Sequence, residues 1–198
     1  MSVLPPPRLV AVTPGDHLTG RDLVPWLIAL GEAGVRSVVI REPHLDVDAL
    51  DVLVLNTWAT VRHVVVHDRH PRARHYGMPL HLPALGDPTG APGLWSQSCH
   101  SESEVDVALE RGAWWTTLSP VWRPTSKPED TREPLGPAQF MAMARDRPVL
   151  ALGGITAERM EVLRSAGAWG AAVSGALFGQ PSPTHAARAA EALLRAVY

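Results

Sequence analysis

The chain has a single cysteine, Cys99, and a single lysine, Lys127, against seventeen arginines. One thiol cannot form an internal disulfide, so a reducing, cytoplasmic setting is expected. Net charge is also scarce. The formal balance of -2 and the pI near 6.5 argue against a general nucleic-acid or membrane-surface binder. Long apolar runs are missing as well: "VVI" and "DVLVL" fall far short of the roughly 20 residues that cross a bilayer. The opening "MSVLPPPRLV" carries neither a charged n-region nor an extended apolar segment, so no signal peptide is expected. With 45% hydrophobic and 19% charged residues over 198 positions, one globular domain spanning 1–198 is expected.

Proline, in contrast, is abundant. Its 19 copies cluster between periodic segments, around 79–92 and 120–137, and read as stiff structured connections. Short apolar runs alternate with longer amphipathic ones. Eight strands are expected: Arg8–Thr13, Ser37–Glu42, Arg62–Asp68, Pro79–Leu82, Leu94–Cys99, Trp114–Ser119, Pro148–Leu152 and Gly170–Ser174. Helices are expected over Gly20–Ala33, Val47–Thr60, Pro71–Tyr76, Glu102–Arg111, Pro137–Arg145, Ala157–Ala166 and Pro183–Val197, each with apolar spacing near 3.6. Three of them end in "EAGVRS", "ERGAWW" and "SAGAWG", with a glycine placed for a left-handed C-cap just before the next strand. That repeated join predicts a small (β/α)8 barrel in which "PALGDPTGAPG" replaces one helix; an open doubly wound sheet is the alternative pattern.

In a barrel the C-terminal ends of the strands form the active face. Here they carry polar residues or glycine almost throughout: Thr13, Arg41, Glu42, His67, Asp68, Arg69, His81, Ser98, His100, Ser119, Gly153, Gly154, Ser174 and Gly175. The glycines of "LGGIT" and "AVSGALF" permit close approach of an anion to backbone N–H groups, so Gly153, Gly154, Ser174 and Gly175 are the candidate phosphate site. His67, His81 and His100 are the candidate acid–base groups. Arg41, Asp68, Ser98, Ser126 and Lys127 are the candidate substrate-binding residues, Arg41 through its bidentate fork and Lys127 through its compact ammonium. His63 and His70 read as solvated, and Cys99 as facing outward into the helix layer. Ser101 with Glu104 forms a capping box. Seven tryptophans, among them Trp114, Trp115 and Trp169, exceed what a small core readily hides, which leaves room for a homo-oligomer.

Taken in order, "IRE", "HDR", "LHLP", "SQSCHS", "SPVWRPTSK", "LGGIT" and "AVSGALF" resemble the thiamine phosphate synthase/TenI superfamily from strand two to strand eight. The resemblance implies a (β/α)8 barrel that binds a small thiazole phosphate at Gly153, Gly154, Ser174 and Gly175. The superfamily divides. Synthases join a pyrimidine diphosphate to the thiazole phosphate with Mg2+, gripping the diphosphate through a Gln-x-Arg-x-Lys motif. Here those positions are Val39, Arg41 and Pro43. The synthases' Asn-Asp pair after strand three reads His67-Asp68. Their second metal aspartate falls within "PALGD", where the spacing favours Gly86 and leaves Asp87 one residue late. These departures weigh against a synthase and toward the TenI-like branch. Its members are thiazole tautomerases, isomerases that aromatise a carboxythiazole phosphate by a proton shift, with no metal and no cofactor. That branch's histidine after strand six falls on Pro120; His67, which adds an acid–base group where the synthases have an Asn, is the first candidate for the proton shift. The synthase, which alone would need Mg2+, and a non-catalytic thiazole-phosphate binder are the alternatives. Another phosphosugar barrel is a further one, since fold does not fix function.

Overall fold

The computed structural model describes residues 4–15, 23–124 and 131–198. Eight parallel strands close into a barrel in sequence order: β1 (Leu9–Val12), β2 (Ser37–Ile40), β3 (His63–His67), β4 (Leu80–Leu82), β5 (Trp95–Cys99), β6 (Trp115–Leu118), β7 (Val149–Ala151) and β8 (Gly170–Val173). The pairing of β8 with β1 closes the sheet and removes the edges that the open alternative would leave. Around it run α1 (Val24–Glu32), α2 (Val47–Thr60), α3 (Glu102–Glu110), α4 (Gly136–Ala144), α5 (Ala157–Ser165), α6 (Gly175–Phe178) and α7 (Pro183–Val197).

Local chemistry sets these boundaries. Asp46, Ser101, Thr156 and Ser182 each accept a backbone N–H in the first turn of the helix that follows, satisfying donors the helix itself cannot. Gly34, Gly112 and Gly167 take φ of +100°, +91° and +96°, the left-handed stops expected from sequence. The expected helix over 71–76 is instead a 3-10 turn, Ala73–Tyr76, closed by left-handed Gly77; so short a segment between Pro71 and Gly77 has no room to propagate an α-helix. The four-residue α6 was not expected.

Because side chains alternate along a strand, the barrel has an inner and an outer core. Val10, Val39, Val65, Trp115, Leu150 and Ala172 form the inner cluster, one from each of six strands. The other two strands place His81 and Ser96 inside instead, which gives the interior one polar sector. The outer cluster packs helices on strands and includes Cys99, fully buried. Burial pushes the Cys99 thiol up to about 12. At the N-terminal end of the barrel the indole N–H groups of Trp114 and Trp169 donate to the carbonyls of Leu4 and Pro7 (2.9 and 3.1 Å), and Arg8 stacks on Trp169. The tryptophans counted toward an oligomer are therefore used by the barrel itself; of the seven, Trp58 on α2 is the exposed one. Among the described residues no helix is long and apolar enough to cross a membrane.

Candidate active site

A cavity of about 400 Å3 opens at the C-terminal ends of the strands, within the range of small-molecule sites. Ten of the twelve site residues read from sequence fall in the described segments, and nine of those line it: Arg41, His67, His81, Ser98, His100 and the four phosphate candidates. Ser126 and Lys127 lie outside the described residues.

The β7 and β8 ends build one wall. Gly153 and Gly154 have φ of +100° and +62°. A Cβ on Gly153 would meet Pro120 and the Trp122 carbonyl at 3.0 Å, and one on Gly154 would meet Trp122 at 2.9 Å. Both the backbone angle and the neighbours therefore require glycine, which leaves bare backbone at the cavity. Thr156 caps α5 directly after this turn. Arg159, in the first turn of α5, reaches back to donate to the Gly154 carbonyl (2.5 Å) and lies over the Trp122 ring. Ser174 and Gly175 complete the wall from β8.

The opposite wall carries the three histidines, each in a different state. His81 is 5% exposed, with Nδ1 2.8 Å from Ser96 Oγ and Nε2 2.9 Å from Ser98 Oγ. Ser96 gives its one hydroxyl hydrogen to the Leu80 carbonyl, so the His81 Nδ1–H donates to Ser96 and Nε2 accepts from Ser98. Burial, reinforced by the Arg41 charge, pushes the His81 pKa down to about 3. Stacked on Trp115, it is a neutral wall with both nitrogens engaged. His67 accepts the Arg69 N–H at Nδ1 (3.2 Å) and meets His81 edge-on, with ring centroids 5.4 Å apart. His100 lies with Nδ1 2.9 Å from the Ser119 carbonyl, and Arg132 Nη1 sits 2.8 Å from Nε2. Its backbone N–H donates to Glu104. The capping box is thus shifted by one residue, and its acid fixes His100 and not the Ser101 N–H.

Asp68 is the one described candidate that does not line the cavity. Its carboxylate is clasped by Arg74, with Nε to Oδ1 at 2.8 Å and Nη2 to Oδ2 at 2.9 Å. His63 and His70 also depart from the sequence reading. His70 is buried and bonded to the Leu45 carbonyl, and His63 is half-buried against Trp114. Sequence reasoning missed Arg123, Arg132 and Arg159, which with Arg41 and Arg69 line the cavity. Arg159 was findable, since it stands in the first turn of the helix after "GGIT". Arg132 sits in an irregular loop with no periodicity to place it. Among the described residues no Asp or Glu lines the cavity.

Among the described residues the Mg2+ that a synthase would need finds no matching donor set. Asp68 is occupied by Arg74, and the Asp87 carboxylate accepts from Thr89 and Arg111. No group of three His, Cys, Asp or Glu residues able to hold a metal exists among the described residues.

Comparison with known sequences points to one group. Residues 9–177 match the family model described as thiamine monophosphate synthase. A putative thiamine-phosphate synthase of Geobacter sulfurreducens is 32% identical over 200 residues, covering 94% of this chain and 93% of that protein. The thiamine biosynthesis bifunctional protein ThiM/ThiE of Symbiobacterium thermophilum is 34% identical over 177 residues, but the chain spans only 37% of its length. A thiamine phosphate pyrophosphorylase from Pyrococcus furiosus shares the fold with a TM-score of 0.79 at 20% identity, over 96% of this chain and 95% of that one. A closed barrel with an arginine-lined cavity at its rim, and a family match over most of its length, lead to one conclusion: the chain belongs to the thiamine monophosphate synthase family.

Proposed function

We propose that this protein couples a pyrimidine diphosphate to a thiazole phosphate, the reaction its relatives are named for, rather than the tautomerisation that the sequence motifs favour. The observation that carries the reading is a cavity lined by five arginines and, among the described residues, by no carboxylate. A carboxythiazole phosphate brings one phosphate and one carboxylate; two substrates with a phosphate and a diphosphate between them bring more negative charge and match this density of guanidinium groups better. The thiazole phosphate rests on Gly153, Gly154, Ser174 and Gly175 beside Arg159. Arg41, Arg69 and Arg132 face the diphosphate, and Arg69 and Arg132 bring the positive charge that Pro43, at the motif's lysine, does not. The thiazole nitrogen lone pair forms the new C–N bond to the pyrimidine methylene as its C–O bond breaks, and pyrophosphate leaves with that electron pair. Guanidinium groups aimed at the departing charge lower the barrier; one such donor is worth about 100-fold in rate. The step needs no proton transfer, in keeping with a neutral, fully bonded His81.

His67 and His100 on the cavity wall favour a second reading, the thiazole tautomerase, because they supply titratable groups that coupling does not use. One pair of assays separates the two. Incubation with both coupling substrates is expected to release pyrophosphate, and His67→Asn to retain that release within about threefold. Aromatisation of the carboxythiazole phosphate without pyrophosphate release, abolished by His67→Asn, would replace the coupling reading with the isomerase.

A further inference from the structure

The family's metal aspartates belong to the loops after strands three and four. In this chain a guanidinium joins those loops. Arg74, on the 3-10 turn after β3, binds both oxygens of Asp68 and also donates to the backbone carbonyls of Asp87 (2.9 Å) and Thr89 (2.7 Å) in the loop after β4. Four oxygens from two loops thus surround one cation, and that cation is part of the chain. The Asp87 carboxylate meanwhile turns outward to Arg111, in an ion pair of 3.0 Å.

We infer that Arg74 is a built-in replacement for the divalent cation, so that the site binds diphosphate without metal. Three features support this. A bidentate guanidinium–carboxylate pair engages both Asp68 oxygens and holds a fixed positive charge against them, which disfavours a second, divalent cation that would need several oxygen ligands there. The two carbonyls that Arg74 holds belong to the loop that crosses the rim between β4 and β5, so the contact does the loop-tying a shared metal would do. The charge a metal would bring to the diphosphate is supplied by the arginines that line the cavity. Arg74 is therefore a positioning residue. Its role as a metal substitute rests on the coupling reading only where diphosphate is concerned.

The test is calorimetric titration of the full chain with inorganic pyrophosphate, once in EDTA and once in millimolar Mg2+. The wild type is expected to bind equally well in both, within about twofold. Arg74→Ala is expected to bind at least about tenfold more weakly in EDTA and to regain affinity with Mg2+, because the freed Asp68 and the two carbonyls then accept the ion. A merely structural arginine would give a weakened variant that Mg2+ does not rescue, and that result overturns the inference, as does a wild type needing Mg2+ to bind. If Arg74→Ala fails to fold, Arg74→Lys serves, with partial loss and partial rescue expected. Thermal denaturation with Mg2+ against NaCl of equal ionic strength decides the metal question separately. No specific shift is expected for the wild type and a rise for the variant; a wild-type rise overturns the inference. Failure of pyrophosphate to bind under any condition would overturn diphosphate as the ligand and the coupling reading, leaving the metal question to the thermal arm.

Discussion

His81 makes the stability of this barrel depend on pH in a way that one substitution isolates. Its imidazole is buried between Trp115 and two serine hydroxyls and its pKa is pushed down to about 3. The unfolded chain has a histidine of ordinary affinity, near 6.5. Below that value the unfolded state binds a proton that the folded state refuses, so stability rises with pH between about 3 and 6.5 and is level above. The slope is about 1.4 kcal/mol per pH unit once well below 6.5, which amounts to about 2 kcal/mol lost on going from about pH 7.5 to pH 5. His81→Asn keeps a donor and an acceptor for the serines and removes the titration. The variant is expected to be less stable at neutral pH, by about 1–3 kcal/mol for lost stacking and hydrogen bonding. That gap should close by about 2 kcal/mol at pH 5. Urea unfolding followed by tryptophan fluorescence across this range measures it. His63, whose pKa burial also lowers, is present in both proteins and cancels. Parallel curves, with a gap independent of pH, would refute a neutral buried His81.

Three further outcomes are expected. Gly153→Ala places a Cβ at φ +100° and 3.0 Å from Pro120, and should cost about 2–4 kcal/mol and weaken thiazole phosphate binding at least about tenfold, read by urea unfolding and calorimetry. Arg159→Ala removes a cation beside the glycine turn; the dissociation constant for inorganic phosphate should rise about 10- to 100-fold with unfolding free energy little changed. Cys99, fully buried with a thiol near 12, should react with a thiol reagent only in denaturant, and prompt reaction of the native protein would contradict its place in the outer core.

How much of this the sequence discloses depends on the range of the interaction. The helix–glycine–strand joins at Gly34, Gly112 and Gly167 are local, so they were legible, as were the bounds of α2 and α7. The glycine turn after β7 was legible because only glycine meets its angles. The partner of an acid is a different matter. Asp68 after β3 reads as a metal or substrate ligand until Arg74, six residues on, is seen to curl back over a 3-10 turn. The pattern around 71–76 suggests a helix, and a helix there would have pointed Arg74 elsewhere. Trp114 and Trp169 look surplus to a small core because the segment they bond, Leu4–Pro7, has no periodicity that marks it as a partner. The arginines of the cavity were missed for a related reason: a long side chain reports little about its direction until the elements around it are fixed.

The arginine-rich, carboxylate-free lining of the cavity comes as much from where the acids go as from where the arginines point. Among the described residues Glu42, Asp68 and Glu104 follow strands of the barrel, and each is turned away from the cavity and bound. Glu42 is 2% exposed, accepts the Gly15 N–H at 2.9 Å and is raised in pKa mainly by burial. Asp68 is held by Arg74, and Glu104 accepts the His100 N–H at 2.8 Å. Each acid serves as a buttress: Glu42 fixes the turn after β1, Asp68 joins the β3 and β4 loops, and Glu104 sets the backbone after β5. A carboxylate facing inward would neutralise a guanidinium that an anionic substrate needs, and would repel the substrate in a medium that screens poorly. Turning these acids away leaves the cavity lining without a carboxylate among the described residues. The same contacts that tie the rim loops together thus keep these acids out of the cavity, which suits the anionic substrates proposed for it.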